Sequence, residues 1–240
     1  MSADRRDVLL IAAAGRGKRM GRERNKLYLP LKGKPVLACT LKVFLEMDLF
    51  NLVGVIVAPG EEDAFWNEVY NPYFAGDRRV FVVEGGAERQ VSVFNGLKAL
   101  KQKNIHEDSI VCIHDGARPL IRKPLIMDVY LEALISGAAI IGVPLKDTIK
   151  EIDHRQIVSK TPPREQYMLA QTPQCFKFST LLQAHEKAEK ENFTGSDDST
   201  LVERLGAKVK VVPGSYENLK LTTPFDFKIA ETYLSCKEVR

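Results

Sequence analysis

The chain has 240 residues, of which 45% are apolar and 28% are charged, and its formal net charge is +4. These values predict a globular protein that is long enough to bury a sizeable core. The mild positive charge, with no block of five or more Lys and Arg residues, disfavours a nucleic-acid binder. No apolar run approaches the roughly 20 residues that a membrane span requires.

Strands and helices are predicted to alternate along the chain. Short apolar runs rich in Val and Ile predict strands at 7–13, 52–59, 79–85, 109–116, 138–145 and 207–214. Helical patterns lie between or after them at 35–46, 61–70, 88–102, 123–136, 178–191 and 224–235. This order predicts an α/β fold with a doubly wound, mostly parallel sheet, in which ligands bind beyond the carboxyl ends of the strands.

One segment, at about 146–172, interrupts this alternation. Polar and apolar residues alternate there on both sides of the polar turn Asp153-His-Arg, which is typical of a β-hairpin. The segment has too few apolar residues for a core of its own, so we expect it to protrude and to pack on a second subunit. The sequence therefore predicts one domain, 1–240, with a β-arm used for dimerisation.

The cysteines and the amino terminus indicate where the protein resides. The four cysteines, like the four histidines, are scattered along the chain, which disfavours a zinc site and predicts free thiols in a reducing cytosol. The amino terminus has a short apolar run, but an acid borders it and a dense cationic stretch follows, which disfavours a signal peptide. We expect a cytoplasmic protein.

A glycine-rich, basic stretch, AAAGRGKRMGRERNK at 12–26, follows the first predicted strand. Its spacing does not match a Walker A loop, and it matches the dinucleotide fingerprint only in Gly15 and Gly17. A tight turn with solvated arginines is a further alternative. The interpretation that also explains Arg19 and Lys26 is a loop that lets a nucleotide triphosphate approach the backbone closely and that neutralises its phosphates.

Six further motifs follow this loop in order. They are GGAERQVSVFNGL (85–97), HDGARP (114–119), KDTIK (146–150), AQTPQCF (170–176), TGSDDSTLVE (194–203) and ENLKLTTPFDF (217–227). The opening loop resembles the sugar-phosphate nucleotidyltransferases. Together the motifs resemble the 2-C-methyl-D-erythritol 4-phosphate cytidylyltransferase family of the non-mevalonate isoprenoid route, over nearly the whole chain.

The resemblance implies a reaction in which the phosphate of a methylerythritol phosphate attacks the α-phosphorus of CTP and expels pyrophosphate. It implies that Arg19 and Lys26 stabilise the transition state. Lys220 and Arg164 would be catalytic as well. Lys220 would help to position the acceptor phosphate and would meet the nucleotide phosphates, and Arg164 would position the acceptor phosphate from the arm of the neighbouring subunit. A Mg²⁺ ion would be bound mainly through the CTP phosphates, with Asp115 as the ligand from the chain.

The resemblance also implies a nucleotide pocket, formed by Ala13, Ala14, Gly15, Gly17, Gly86, Ala87, Arg89, Ser92, Asp115 and Gly116. Ser92 is expected to meet the base edge and Arg89 to support the loop. Ala87 stands where the family often has an acid, and Gly116 where alanine is usual. We expect Arg118 to form an internal ion pair and His114 to be packed rather than catalytic.

On the acceptor side, the resemblance implies that the hydroxyls of Thr148, Thr172 and Ser196 surround the methylerythritol phosphate. Asp197 and Asp198 are interpreted either as the cap and first turn of a helix or as groups that face the polyol. Two alternatives to the main function stay open. They are a ribitol-5-phosphate cytidylyltransferase and a non-catalytic nucleotide-binding module.

Overall fold

The computed structural model describes residues 5–15 and 25–238. The strands in those residues are β1 (Val8–Ala12), β2 (Pro30–Leu31), β3 (Lys34–Pro35), β4 (Leu52–Val57), β5 (Val80–Glu84), β6 (Ile110–Asp115), β7 (Ala138–Pro144), β8 (Glu151–Ile152), β9 (Val158–Lys160), β10 (Met168–Lys177) and β11 (Lys210–Pro213). The helices are α1 (Val36–Leu45), α2 (Glu62–Phe65), α3 (Asn71–Phe74), α4 (Arg89–Gln102), α5 (Lys123–Ser136), α6 (Phe178–Lys190), α7 (Asp198–Glu203) and α8 (Pro224–Glu238). Among the described helices, none combines the length and the apolar character that a membrane crossing demands.

Seven strands form the central sheet, in the order β11–β7–β10–β6–β1–β4–β5. The four pairs β1–β4, β1–β6, β4–β5 and β7–β11 are parallel, and only β10 runs antiparallel to its neighbours β6 and β7. The predicted doubly wound, mostly parallel fold is therefore confirmed.

The core lies on both faces of this sheet. In β1, the side chains of Leu9 and Ile11 pack into one cluster with α1, α5 and α8. The side chains of Val8 and Leu10 pack into a second cluster with α4, α6 and α7. Because successive residues of a strand point to opposite faces, a strand covered on both faces must be apolar throughout, which is why these runs are continuous rather than alternating.

Strand β10 was not predicted as a strand. Its sequence contains Gln171, Thr172, Pro173 and Gln174 in succession, which breaks the apolar pattern. The pairing with β7 is irregular at this point, since its register shifts between Gln171 and Gln174. The polar side chains at this irregularity line the cavity described below, so the departure from the pattern belongs to the site.

The segment expected to form the arm divides into two parts. Strands β8 and β9 form a small antiparallel hairpin, and all residues of 151–160 are exposed. From Met168 onwards, the chain belongs to the central sheet as β10. The hairpin is therefore shorter than the predicted segment, because the backbone after the turn at 164–166 pairs with β7 instead.

The expectation of free thiols is wrong for two of the four cysteines. Cys112 of β6 and Cys175 of β10 stand opposite each other in the antiparallel pair and form a disulfide, although 63 residues separate them in sequence. Cys39 and Cys236 are free. Sequence spacing could not reveal this pair, because the two residues are brought together by the pairing of β10, the strand that the pattern does not show.

Candidate active site

The buried carboxylate of Asp115 is the centre of the site. Asp115 ends β6, and its register partner in β1 is Ala12, at the carboxyl end of that strand. The Asp115 carboxylate lies 2.7 Å from the Lys220 ammonium, 3.3 Å from Arg89 Nε and 3.7 Å from Arg118 Nε. Burial alone would raise the pKa of Asp115, but the charges of Arg89 and Lys220 outweigh it and hold that pKa well below its usual range.

Lys220 is brought to Asp115 by the loop between β11 and α8. The side chain of Asn218 in this loop is buried, and its Nδ2 donates to the carbonyl of Thr172 at 2.9 Å. Arg118 Nη1 donates to the carbonyl of Asn218 at 2.7 Å, and the Leu221 N–H donates to the carbonyl of Ala117 at 2.8 Å. Arg118 is thus an internal partner, as predicted, and it holds this loop against β6.

Lys26 approaches the same loop from the other end of the chain. Its ammonium donates to the carbonyl of Leu221 at 2.6 Å, next to Lys220 in the chain. The preceding residue, Asn25, is buried and donates to the carbonyl of Ala13 at 3.1 Å, which ties this segment to the end of β1. Two predicted catalytic lysines, about 190 residues apart in sequence, therefore meet at one loop.

Arg89 begins α4 and joins two acids. Its Nη2 lies 2.8 Å from the Asp198 carboxylate, while its Nε faces Asp115. Asp198 is 1% exposed and lies 3.2 Å from His185 Nε2, and the His185 ring stacks on Phe94 of α4. The role of His185 was missed by the sequence analysis, because nothing local marks a histidine in the middle of an amphipathic helix.

Asp197 adopts the helix-cap role that the sequence suggested. Its carboxylate accepts the N–H of Thr200 at 3.0 Å and so caps α7. It also accepts a hydrogen bond from Gln174 Nε2 at 2.7 Å. Neighbouring Ser196 is exposed, and its hydroxyl lies 3.0 Å from the Thr200 hydroxyl.

Thr172 connects β10 to the centre of the site. Its hydroxyl oxygen accepts the Asp115 N–H at 3.0 Å and lies 3.0 Å from His114 Nδ1. His114 is fully buried against Phe44, and burial lowers its pKa to about 3, so its ring is neutral and packed as predicted. Since His114 Nε2 faces the carbonyl of Arg118 at 3.3 Å, it carries the ring proton, and the Thr172 hydroxyl donates to Nδ1.

These groups surround one cavity of about 250 Å³. Five predicted site residues line it: Arg89, Asp115, Thr172, Ser196 and Lys220. Gln171 and Gln174 of β10 also line it and were not predicted. Their signal in the sequence is the run of polar residues inside what proves to be a strand.

The loops after β1 and β5 touch each other. A Cβ added to Gly85 would lie 2.4 Å from the Cβ of Ala14, so only glycine allows these loops to approach so closely. Ala14 is half-buried, Ala13 is buried, and both Gly15 and Ala87 are exposed. At Gly116, an added Cβ would lie 3.2 Å from the Leu37 side chain and 3.3 Å from the Ala12 carbonyl oxygen, so an alanine here would require these neighbours to shift slightly.

Ser92, for which a contact with a base edge is expected, bonds to the backbone of its own loop. It is 2% exposed, its hydroxyl oxygen accepts the Gly86 N–H at 3.0 Å, and it donates to the carbonyl of Glu88 at 2.9 Å. These bonds hold the backbone of the loop at 85–88 from its buried side. The hydroxyl therefore shapes the loop from its buried side, and its contact with the base stays a prediction.

The remaining predicted residues either do not line this cavity or lie outside the residues that the structure describes. Thr148 and Arg164 are exposed and do not line it, and Arg164 Nη1 donates to the carbonyl of Lys146 at 2.6 Å. Gly17 and Arg19 lie outside the described residues.

The described residues contain no group of three or more His, Cys, Asp or Glu side chains that could hold a metal ion. Asp115 has oxygen ligands of the type that Mg²⁺ prefers, but one of its oxygens faces Arg89 and the other faces Lys220. These residues do not fit a dedicated metal site as they stand. The role of Asp115 as a metal ligand stays a prediction.

One known protein family matches this chain over nearly its whole length. The family model of 2-C-methyl-D-erythritol 4-phosphate cytidylyltransferase matches residues 8–236. The protein of that name from Alkaliphilus oremlandii is 44% identical over 230 residues, which cover 95% of this chain and 95% of that protein. The one from Geotalea uraniireducens is 46% identical over 229 residues, which cover 95% of this chain and 97% of that protein.

Solved structures agree with the family model. The 4-diphosphocytidyl-2C-methyl-D-erythritol synthase from Anaerococcus prevotii superposes with a TM-score of 0.82 at 31% identity, covering 97% of this chain and 99% of that one. The 2-C-methyl-D-erythritol 4-phosphate cytidylyltransferase from Thermus thermophilus gives a TM-score of 0.76 at 32% identity, covering 96% and 99%.

Proposed function

We propose that this chain, which belongs to the 2-C-methyl-D-erythritol 4-phosphate cytidylyltransferase family, transfers CMP from CTP to 2-C-methyl-D-erythritol 4-phosphate. The products are pyrophosphate and 4-diphosphocytidyl-2-C-methyl-D-erythritol, an intermediate of non-mevalonate isoprenoid biosynthesis. The observation that supports this proposal best is the cluster of Arg89, Arg118 and Lys220 at one cavity, with Lys26 bonded to the same loop.

The chemistry requires positive charge more than it requires a base. The acceptor phosphate is already an anion at neutral pH, so the main obstacle is its repulsion from the triphosphate. Aligned cations lower that barrier by holding both groups in line and by neutralising charge as it develops on the α-phosphoryl oxygens. We assign this role to Arg19, Lys26 and Lys220.

Asp115 orients this machinery. With its pKa depressed, it stays ionised at neutral pH and fixes the ammonium of Lys220 at 2.7 Å. A lysine has four rotatable side-chain bonds, so such an anchor reduces the entropy lost when the ammonium meets a phosphate. Asp115 and Gly116 also lie at the strand end where we expect the ribose.

The cytosine is assigned to the loops after β1 and β5. Ala13, Ala14 and Gly15 would contact the nucleotide through their backbone, as would Gly86 and Ala87. Because Ala87 is exposed and has no polar side chain, any base contact there is made by its N–H or carbonyl group. Ser92 contributes indirectly, through its bonds to Gly86 and Glu88.

The acceptor is assigned to the opposite side of the cavity, formed by Thr172 and Ser196. Arg164 and Thr148 complete it from the arm of a second copy. In support, several large apolar side chains of this region are 43% to 60% exposed: Ile152, Ile157, Val158, Tyr167, Met168 and Leu169. Apolar side chains grouped in this way favour a covered surface, so we infer a homodimer formed through the arm.

Mg²⁺ is proposed to enter with CTP, bound mainly by the phosphate oxygens. Bound there, it supplies charge neutralisation to the triphosphate. No step above depends on a metal ligand from the chain. We also propose a cytoplasmic location, which rests on the absence of a signal-peptide pattern at the amino terminus, because the Cys112–Cys175 disulfide removes the argument from free thiols.

The test is a coupled assay of pyrophosphate release from CTP, with methylerythritol phosphate or ribitol 5-phosphate as the acceptor. We expect the purified chain to turn over the first much faster than the second. Faster turnover of ribitol 5-phosphate would reassign the acceptor. Binding of CTP without release of pyrophosphate with either acceptor would favour a non-catalytic nucleotide-binding module.

A further inference from the structure

Gln90, the second residue of α4, connects the start of this helix to the segment at 193–195. Its side-chain Nε2 donates to the carbonyl of Phe193 at 2.9 Å. Its Oε1 accepts the N–H of Gly195 at 2.9 Å. Both ends of one amide are thus bonded to the backbone of residues more than 100 positions away in sequence.

The segment 193–198, which these bonds hold, forms a wall of the cavity. Ser196 and Asp197 line the cavity directly. Two other side chains hold the end of the segment, since Gln174 donates to Asp197 and Arg89 pairs with Asp198. Among the side chains that the structure describes, Gln90 is the one that bonds to the backbone immediately before Ser196, at Gly195.

We propose that Gln90 is a positioning residue that sets the location of Ser196 for the acceptor. This inference rests on the proposed function, in which the Ser196 hydroxyl contacts the polyol phosphate. The backbone of Gln90 lies in the first turn of α4, directly after the loop at 85–88 that we assign to the nucleotide. Gln90 therefore fixes the distance between the nucleotide loop and the acceptor wall, and it does not itself line the cavity.

The kinetic consequence follows from where Ser196 acts. A hydroxyl that holds the polyol equally in the ground state and the transition state contributes to KM rather than to kcat. Loss of two neutral hydrogen bonds lets the segment move, so we expect the KM for methylerythritol phosphate to rise about tenfold for Gln90→Met. The KM for CTP and kcat should stay within about twofold of wild type.

Gln90→Glu provides a second comparison. One carboxylate oxygen still accepts the Gly195 N–H, but the other faces the carbonyl of Phe193 and is repelled by it. Its KM for the acceptor should therefore rise at least as much as that of Gln90→Met. The matched control is Gln102→Met, the same change at an exposed position at the other end of α4.

Amide hydrogen exchange separates this inference from the proposed function. In Gln90→Met, the Gly195 amide should lose protection, while Gln102→Met should leave it unchanged. If the wild type fails to use methylerythritol phosphate, the proposed function is wrong, and exchange still decides whether Gln90 holds the segment. Unchanged protection of Gly195, or equal increases in both KM values, would overturn the positioning role.

Discussion

Replacing Lys220 by methionine removes one charge from the centre of the site and keeps most of the side-chain volume. Around the cavity, the three basic groups of Arg89, Arg118 and Lys220 face the three carboxylates of Asp115, Asp197 and Asp198, so these six groups balance in charge. Without Lys220 they carry a net charge of −1, which opposes the approach of a phosphate.

The magnitude follows from distance and exposure. A phosphate oxygen about 4 Å from an ammonium gains about 4 kcal/mol at an effective dielectric constant of about 20. Because the side chain of Lys220 is 40% exposed, solvent screens part of this gain, and we expect roughly 2.7 kcal/mol to remain. That value corresponds to a loss of about 10²-fold in kcat/KM.

The assay is pyrophosphate release under subsaturating CTP and methylerythritol phosphate, with thermal unfolding measured in parallel. Lys210→Met, at an exposed position on β11, is the matched control and should behave as the wild type. Lys220→Arg keeps the charge and should recover part of the rate. A Lys220→Met protein that is folded and within about threefold of wild-type kcat/KM would refute the electrostatic reasoning.

Three further predictions concern the same site. The depressed pKa of Asp115 stabilises the fold above the unfolded value of about 3.9, and this stabilisation is lost as the pH falls towards the folded pKa. In denaturant titrations, the wild type should therefore lose more unfolding free energy than Asp115→Asn between about pH 4.5 and pH 2.5, and parallel losses would contradict this. Thr172→Val breaks the bonds to the Asp115 N–H and to His114, so it should lower the unfolding free energy by about 1–3 kcal/mol and reduce kcat. Thr172→Ser should restore both, and a serine variant as impaired as valine would contradict a role for the hydroxyl. Arg164→Ala should raise the KM for methylerythritol phosphate and leave that for CTP nearly unchanged. If Arg164 acts across the dimer, mixing this variant with Lys220→Met at low acceptor concentration should restore activity through mixed dimers with one intact site, and no recovery would mean that both residues act within one chain.

Much of the fold was predictable, because strands buried on both faces must be continuously apolar and because a parallel sheet requires helices between its strands. Of the seven central strands, β1, β4, β6 and β7 are buried and show that pattern. The two edge strands, β5 and β11, are apolar in sequence although they are less buried. Strand β10 does not show the pattern, since its residues at 171–174 serve the cavity instead of the core. The same strand carries Cys175, so the pairing with Cys112 was hidden together with it.

For the site, motif resemblance indicated residues that the structure then brings together, among them Lys26, Asp115 and Lys220. It did not indicate the residues that support the walls of the site. Gln90 and Asn218 act through hydrogen bonds to distant parts of the chain, and His185 acts through Asp198. Such contacts have no periodicity or spacing that a sequence pattern could display.

The sequence by itself determined which chemical groups are available and in which order the strands and helices occur, because periodicity and turn residues act locally along the chain. Only the tertiary structure decided which of those groups face one another. Ser92 is the clearest example, since its hydroxyl supports a loop from inside although its motif suggested a contact with the base. A hydrogen bond depends on the position and direction of two groups in space, and these are set by packing over the whole chain.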